Sequence, residues 1–180
     1  MADSPVCAPA RRPVHSRIVA LEGFLRDDGL VDIEARLTDV KSRDYPLASG
    51  LRKAGEPIHD LRVCVTIDDA FTIVAINASA DAVPYPGACE AIAPAYGQLL
   101  GLNLLRGFRA EVKALFAGVA GCSHLTELLG AVPTAAIQTV ASFRSAADEG
   151  DTKPFQLDRC HALETRGETV RRFYPRWYRR

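Results

Sequence analysis

Two stretches of the chain alternate apolar and polar residues with a period of two. Val31, Ile33, Ala35 and Leu37 are separated by Asp32, Glu34 and Arg36. Leu61, Val63, Val65 and Ile67 are separated by Arg62, Cys64 and Thr66. Such alternation predicts strands with one buried face. The first stretch belongs to a hairpin over residues 17–41, with Asp28-Gly29 at a turn where type I′ geometry needs positive φ. The second turns at Asp68-Asp69 and returns over residues 72–79. Residues 45–57, with Pro46, Gly50, Gly55 and Pro57, read as loop, and residues 81–87, with Pro84 and Pro86, end the sheet run.

The period then becomes helical. Residues 89–100, 108–116 and 123–143 are the candidates. The last carries Leu125, Leu128, Leu129, Val132, Ile137 and Val140 near helical spacing. Pro133 is expected to kink or restart it. Residues 148–154 read as a polar linker. Residues 159–163 and 168–174 read as a final hairpin turning at Arg166-Gly167. Strands, then helices, then a strand pair predict an α+β fold: a mainly antiparallel sheet of hairpins with helices packed on one face. Residues 1–13, rich in Ala, Pro and Arg, read as a flexible arm, and residues 14–180 as one domain.

Composition changes this picture little. At 180 residues, 48% hydrophobic and 24% charged, the chain has the make-up of a globular domain. Its 22 basic and 22 acidic residues cancel, which argues against a general coat for nucleic acid. The last ten residues hold five Arg and no acid, so the first 170 carry 17 basic against 22 acidic residues. Neutrality is therefore an acidic body offset by a basic end. Arg171, Arg172, Arg176, Arg179 and Arg180 interleave with Phe173, Tyr174, Trp177 and Tyr178. That mixture suits single-stranded nucleic acid or an anionic ligand. One short basic segment favours instead a solvated end whose aromatics pack on the domain. The start lacks the apolar run of a signal peptide, and no stretch reaches a membrane span of about 20 residues. The expectation is a cytoplasmic protein, with no membrane partner.

Five cysteines, at 7, 64, 89, 122 and 160, are widely spaced and odd in number, which argues against a disulfide framework. No CxxC, GxGxxG, Walker A, HExxH or GxSxG pattern occurs. Three places put soft or imidazole ligands where an element begins. His59-Asp60 precedes the strand at Leu61. Cys89 follows the proline-rich turn. Gly121-Cys122-Ser123-His124 opens the longest helix. Two sulfurs with nitrogen or carboxylate donors suit Zn²⁺ or iron rather than Mg²⁺ or Ca²⁺. Cys122 and His124 lie about 200° apart on a helix, so both can meet one ion only if Cys122 stands outside it. His124 is otherwise a nearby donor, a general base or an exposed residue. Glu127 in the first turn also suits the helix dipole. Cys64 and Cys160-His161 read as structural. Asp39, Asp68 and Asp81 end strands or turns, where capping is their ordinary role.

The strings Ile58-His59-Asp60, Pro-Tyr-Pro-x-x-Cys over residues 84–89, Gly-Cys-Ser-His-Leu-Thr-Glu-Leu-Leu over residues 121–129 and Cys160-His161-Ala162 resemble an uncharacterised bacterial family of domains of unknown function. The likeness runs from about residue 15 to residue 174. A remoter likeness, over residues 57–143, is to iron–sulfur cluster scaffolds of the IscU/NifU type. These run as hairpin, Cys, helices, then Cys at the head of a long helix. That resemblance implies an IscU/NifU-like core with extra N- and C-terminal hairpins. It also implies His59, Cys89 and Cys122 as ligands beside Asp60.

The reading that results is a metal-binding domain using His59, Asp60, Cys89 and Cys122, with zinc ahead of iron or an iron–sulfur cluster. As an enzyme it would be of lyase or hydrolase type, with Asp60, His124 or Glu127 carrying protons for a small anionic or carbonyl-containing metabolite. The alternatives are a non-catalytic metal or cluster carrier, and a metal-free structural or partner-binding domain. A homo-oligomer fits any of the three.

Overall fold

A computed structural model describes residues 10–144 and 152–180. Most of the arm (residues 1–13, with Cys7) and of the linker (residues 148–154) falls outside the described residues. The protein is α+β, and contacts divide it into two compact units, up to Ala136 and Ile137–Arg180.

The first unit is built on four antiparallel strands: β1 (His15–Leu25), β2 (Val31–Lys41), β5 (Pro57–Ile67) and β6 (Ile73–Ala82), in the order β1-β2-β5-β6. The alternation in the sequence is realised as burial. Ile33, Leu37, Val63 and Val65 are closed to solvent, while Glu34, Arg36 and Arg62 between them are exposed. β1 pairs with β2 from His15↔Lys41 to Leu25↔Val31. Their turn differs from the expected type I′. Of its residues only Gly29 has positive φ, and Arg26 and Leu30 bracket a three-residue loop. One left-handed glycine after a type I turn gives the longer loop, whereas type I′ needs two such residues. The segment read as loop contains a short hairpin of β3 (Tyr45–Leu47) and β4 (Gly50–Arg52).

After β6 the chain becomes helical. Residues Glu90–Leu99 form a 3-10 run, tighter than the α-helix that the pattern suggested. α1 (Phe108–Phe116) buries Phe108, Val112 and Phe116, spaced four apart on one face. α2 (Ser123–Ala141) buries Leu125, Leu128, Leu129 and Val132 and runs through Pro133. No helix among the described residues is long and apolar enough to cross a membrane.

The C-terminal unit corrects the expected final hairpin. Residues His161–Leu163 form a 3-10 turn, and α3 (Glu168–Phe173) replaces the returning strand. Glu168 and Arg171 form an i,i+3 ion pair on α3, and Val170 is fully buried. Asp158 closes the loop before α3: its carboxylate accepts the Thr165 N–H at 2.7 Å and pairs with Lys153. Asp158 and Glu168 thus tie the segment together through local pairs, without a cross-strand ladder.

Candidate metal centre

The site grows from one row of the sheet. Arg17 on β1 lies opposite Asp39 on β2, and Asp39 lies opposite His59 on β5. Directly opposed residues point to the same face. That face also carries Leu37 and Leu61, so Asp39 occupies a core-side position and is only 3% exposed. Its expected role as a strand-end cap is corrected by its place inside β2.

A buried carboxylate needs partners, and Asp39 has them. Oδ1 accepts from His15 Nε2 and Arg17 Nε, both at 2.8 Å. Oδ2 accepts from Arg17 Nη2 at 2.8 Å and His59 Nδ1 at 3.0 Å. These four contacts use the lone pairs that a carboxylate offers. Burial pushes the Asp39 carboxyl up, but hydrogen bonds from Arg17 and His15 and the Arg17 charge outweigh it. The group is held far below the usual carboxylate range, hence ionised.

α2 brings the second imidazole. His124 packs against His59 with ring centroids 3.9 Å apart and planes tilted by 33°, and its Nε2 is 3.8 Å from Asp39 Oδ2. Glu127, one turn on, meets the free end of Arg17 at 2.5 Å. Burial lowers the pKa of both histidines. The charge of the facing His124 adds to this for His59, and that of Arg17 for His124; Asp39 only partly opposes it. Both rings therefore favour the neutral form. Since an ionised carboxylate only accepts, His59 donates through Nδ1 and keeps its Nε2 lone pair for something else. A carboxylate orienting an imidazole in this way is the usual support of a metal-ligating histidine.

The head of α2 is set by packing. Tyr96, buried and stacked on Phe116, accepts the Cys122 N–H at 2.9 Å, and its hydroxyl lies 3.0 Å from both the Cys122 carbonyl and Thr126 Oγ1. A Cβ on Gly121 would come within 2.5 Å of Phe116 Cβ, so the approach requires glycine. Cys122 consequently stands just before the first helical residue, with its Sγ 3.9 Å from His124 Nδ1.

Four of the residues singled out in the sequence line one cavity of about 420 Å³: His59, Cys89, Cys122 and His124. Asp60 does not join them. Strand alternation turns it to the other side of the sheet, where Arg36 binds both its oxygens at 2.7 and 2.6 Å. Glu127 is engaged by Arg17. Among the described residues, Asp39, His59 and His124 form a group whose ligand atoms all lie within 4.8 Å of one another. Asp39, Arg17 and His15 were missed in the sequence. For Asp39 the signal was there: continuing the period from Val31 through Leu37 puts residue 39 on the apolar side.

A family model described as "Protein of unknown function (DUF2889)" matches residues 15–138. The chain belongs to this family. The matched span of DUF2889 begins at His15 and so contains every residue of the cluster, together with Cys89 and Cys122. No curated protein and no solved structure matches the chain. The likeness to IscU/NifU-type scaffolds thus has no matching structure behind it.

Proposed function

We propose that this DUF2889 domain binds one transition-metal ion, zinc ahead of iron, at the junction of β2, β5 and α2. The observation that supports it is the convergence, within 4.8 Å, of ligand atoms from two imidazoles that burial biases to the neutral form and from a carboxylate that Arg17 and His15 hold ionised. These are the protonation states that metal binding demands. His59 and His124 would supply nitrogen, with Asp39 orienting His59 and balancing charge. Cys122, beside His124 at the cavity wall, is the nearest thiol donor, and Cys89 lines the same space. Nitrogen and sulfur donors suit zinc, and nothing in the set requires redox chemistry.

With Cys122 as the third ligand beside His59 and His124, a bound ion would keep an open position and would supply the means to polarise a carbonyl or activate water. A hydrolase or lyase acting on a small carbonyl-containing or anionic metabolite is the corresponding activity. Of the expected proton carriers, His124 borders the cavity, whereas Asp60 is turned to Arg36 and Glu127 to Arg17.

A second reading rests on a different observation. Asp39 already accepts four hydrogen bonds, and Arg17 brings a full positive charge to it. On that reading the cluster is a metal-free structural node. Metal content decides between them. About one zinc per chain is expected after purification without chelator, and less than a tenth of that in His59→Ala and His124→Ala. Folded wild-type protein that takes up neither zinc nor cobalt would establish the structural node instead.

A further inference from the structure

The walls of the cavity differ sharply from its metal end. Leu61, Val83 and Ile92 line the interior, and two apolar side chains stand at surface positions around it: Tyr85, 58% exposed, and Val119, fully exposed. Isolated exposed apolar residues are ordinary. Here two of them, on loops far apart in sequence, border the same cavity as His59, His124 and Cys122. Tyr85 sits in the turn after β6, and Val119 in the 3-10 turn (Gly118–Ala120) between α1 and α2. Neither side chain is needed for the core, so their place beside the cavity is what calls for an explanation. Exposed loop residues on a rigid scaffold are the usual carriers of recognition.

Charge narrows the occupant further. Among the described residues, no Lys or Arg lines the cavity. The nearby Arg17 is already balanced by Asp39 and Glu127. A phosphate ester or a dicarboxylate would therefore bring a second charge that no side chain of the wall matches. With Cys122 as a thiol, a divalent ion held by neutral imidazoles leaves one net positive charge on the group of the ion, Arg17, Asp39 and Glu127. It repels an ammonium and attracts one anionic group. The volume, about 420 Å³, is at the small end of the range for ligand pockets and suits a head group and one ring.

We propose that the cavity binds a small monoanion with an apolar, ring-sized body. Its carboxylate-type head meets the ion at His59 and His124, and its body lies between Tyr85 and Val119. This rests on the metal reading for the head group, while the apolar lips supply the selectivity. Binding is non-covalent.

The test uses the full-length protein loaded with cobalt, whose visible spectrum reports the ligands of the ion. Benzoate, acetate and benzylamine are the probes. Benzoate is expected to shift the cobalt bands and to bind at least tenfold more tightly than acetate, while benzylamine leaves the bands unchanged. Tyr85→Ala and Val119→Asn should each weaken benzoate at least fivefold and leave acetate affinity and the probe-free spectrum as in the wild type. Equal affinity for benzoate and acetate, or benzoate binding that both variants leave intact, overturns this inference alone. A protein with no cobalt spectrum before any probe is added overturns the metal reading and this inference with it.

Discussion

Asp39 shows how much one buried carboxylate organises. It collects His15 and Arg17 from β1 and His59 from β5, and it sets which nitrogen of His59 is free. Breaking a buried ion pair by removing one partner costs more than the pair contributes, because the other charge is left uncompensated. The Arg17 side chain is 34% exposed, so water softens that cost. Asp39→Asn is expected to destabilise the metal-free protein by about 2 kcal/mol, at the low end for buried pairs. Urea unfolding in the presence of a chelator measures it, and a change below about 0.5 kcal/mol would show that the cluster is incidental to folding.

Among elements, the head of α2 decides whether the site exists. The Gly121 backbone rests against Phe116, and Tyr96 clamps Cys122 from the other side. Gly121→Ala forces a Cβ into the Phe116 backbone and should cost about 2–3 kcal/mol, the range for overpacking a tight contact. It should also lower zinc content, because Cys122 and His124 move with the helix start. Gly130→Ala is the control within the same helix. A Cβ there meets nothing within 4 Å, so the helix should gain about 0.5–1 kcal/mol from the better helix former. Thermal melts of the two variants must shift in opposite directions for this account to stand.

Across the whole molecule, the two units are held by different means. The unit up to Ala136 rests on a four-stranded sheet and buried helix faces. The unit Ile137–Arg180 relies more on local polar closure, of which Asp158 is the clearest case. Asp158 has a φ of 62°, a left-handed conformation that Asn tolerates as well as Asp does. Asp158→Asn therefore isolates the charge. Hydrogen bonds from Lys153 and from the Thr165 N–H pull the Asp158 carboxyl down to about 2. A carboxyl lowered in the folded state stabilises above its unfolded value, and that stabilisation is lost as pH falls through the folded one. The variant should melt below the wild type at pH 7, and the difference should close as pH approaches 2. A gap that persists unchanged at pH 2 would mean that the loss is steric. The same contrast between units shows in the sequence. Period-two and helical patterns sufficed to place β2, β5, α1 and α2, because each buries a continuous apolar face. The final segment lacked such a face, and its strand-like reading yielded to a short helix with an internal Glu168–Arg171 pair.

The sequence by itself determined the alternating strands, the buried helix stripes and the membership in DUF2889, since all three are carried by local order along the chain. It also singled out His59, Cys89, Cys122 and His124, which share one cavity. Only the tertiary structure decided that Arg17, Asp39 and His59 form one row across three strands, with His124 packed against its end. Those contacts join residues 20 to 85 positions apart. They depend on strand register and on where α2 begins. A one-residue slip would turn Asp39 away from the core, as alternation turns Asp60 away from His59. Register is set by the packing of the whole sheet, so the site could be read only after the fold was known.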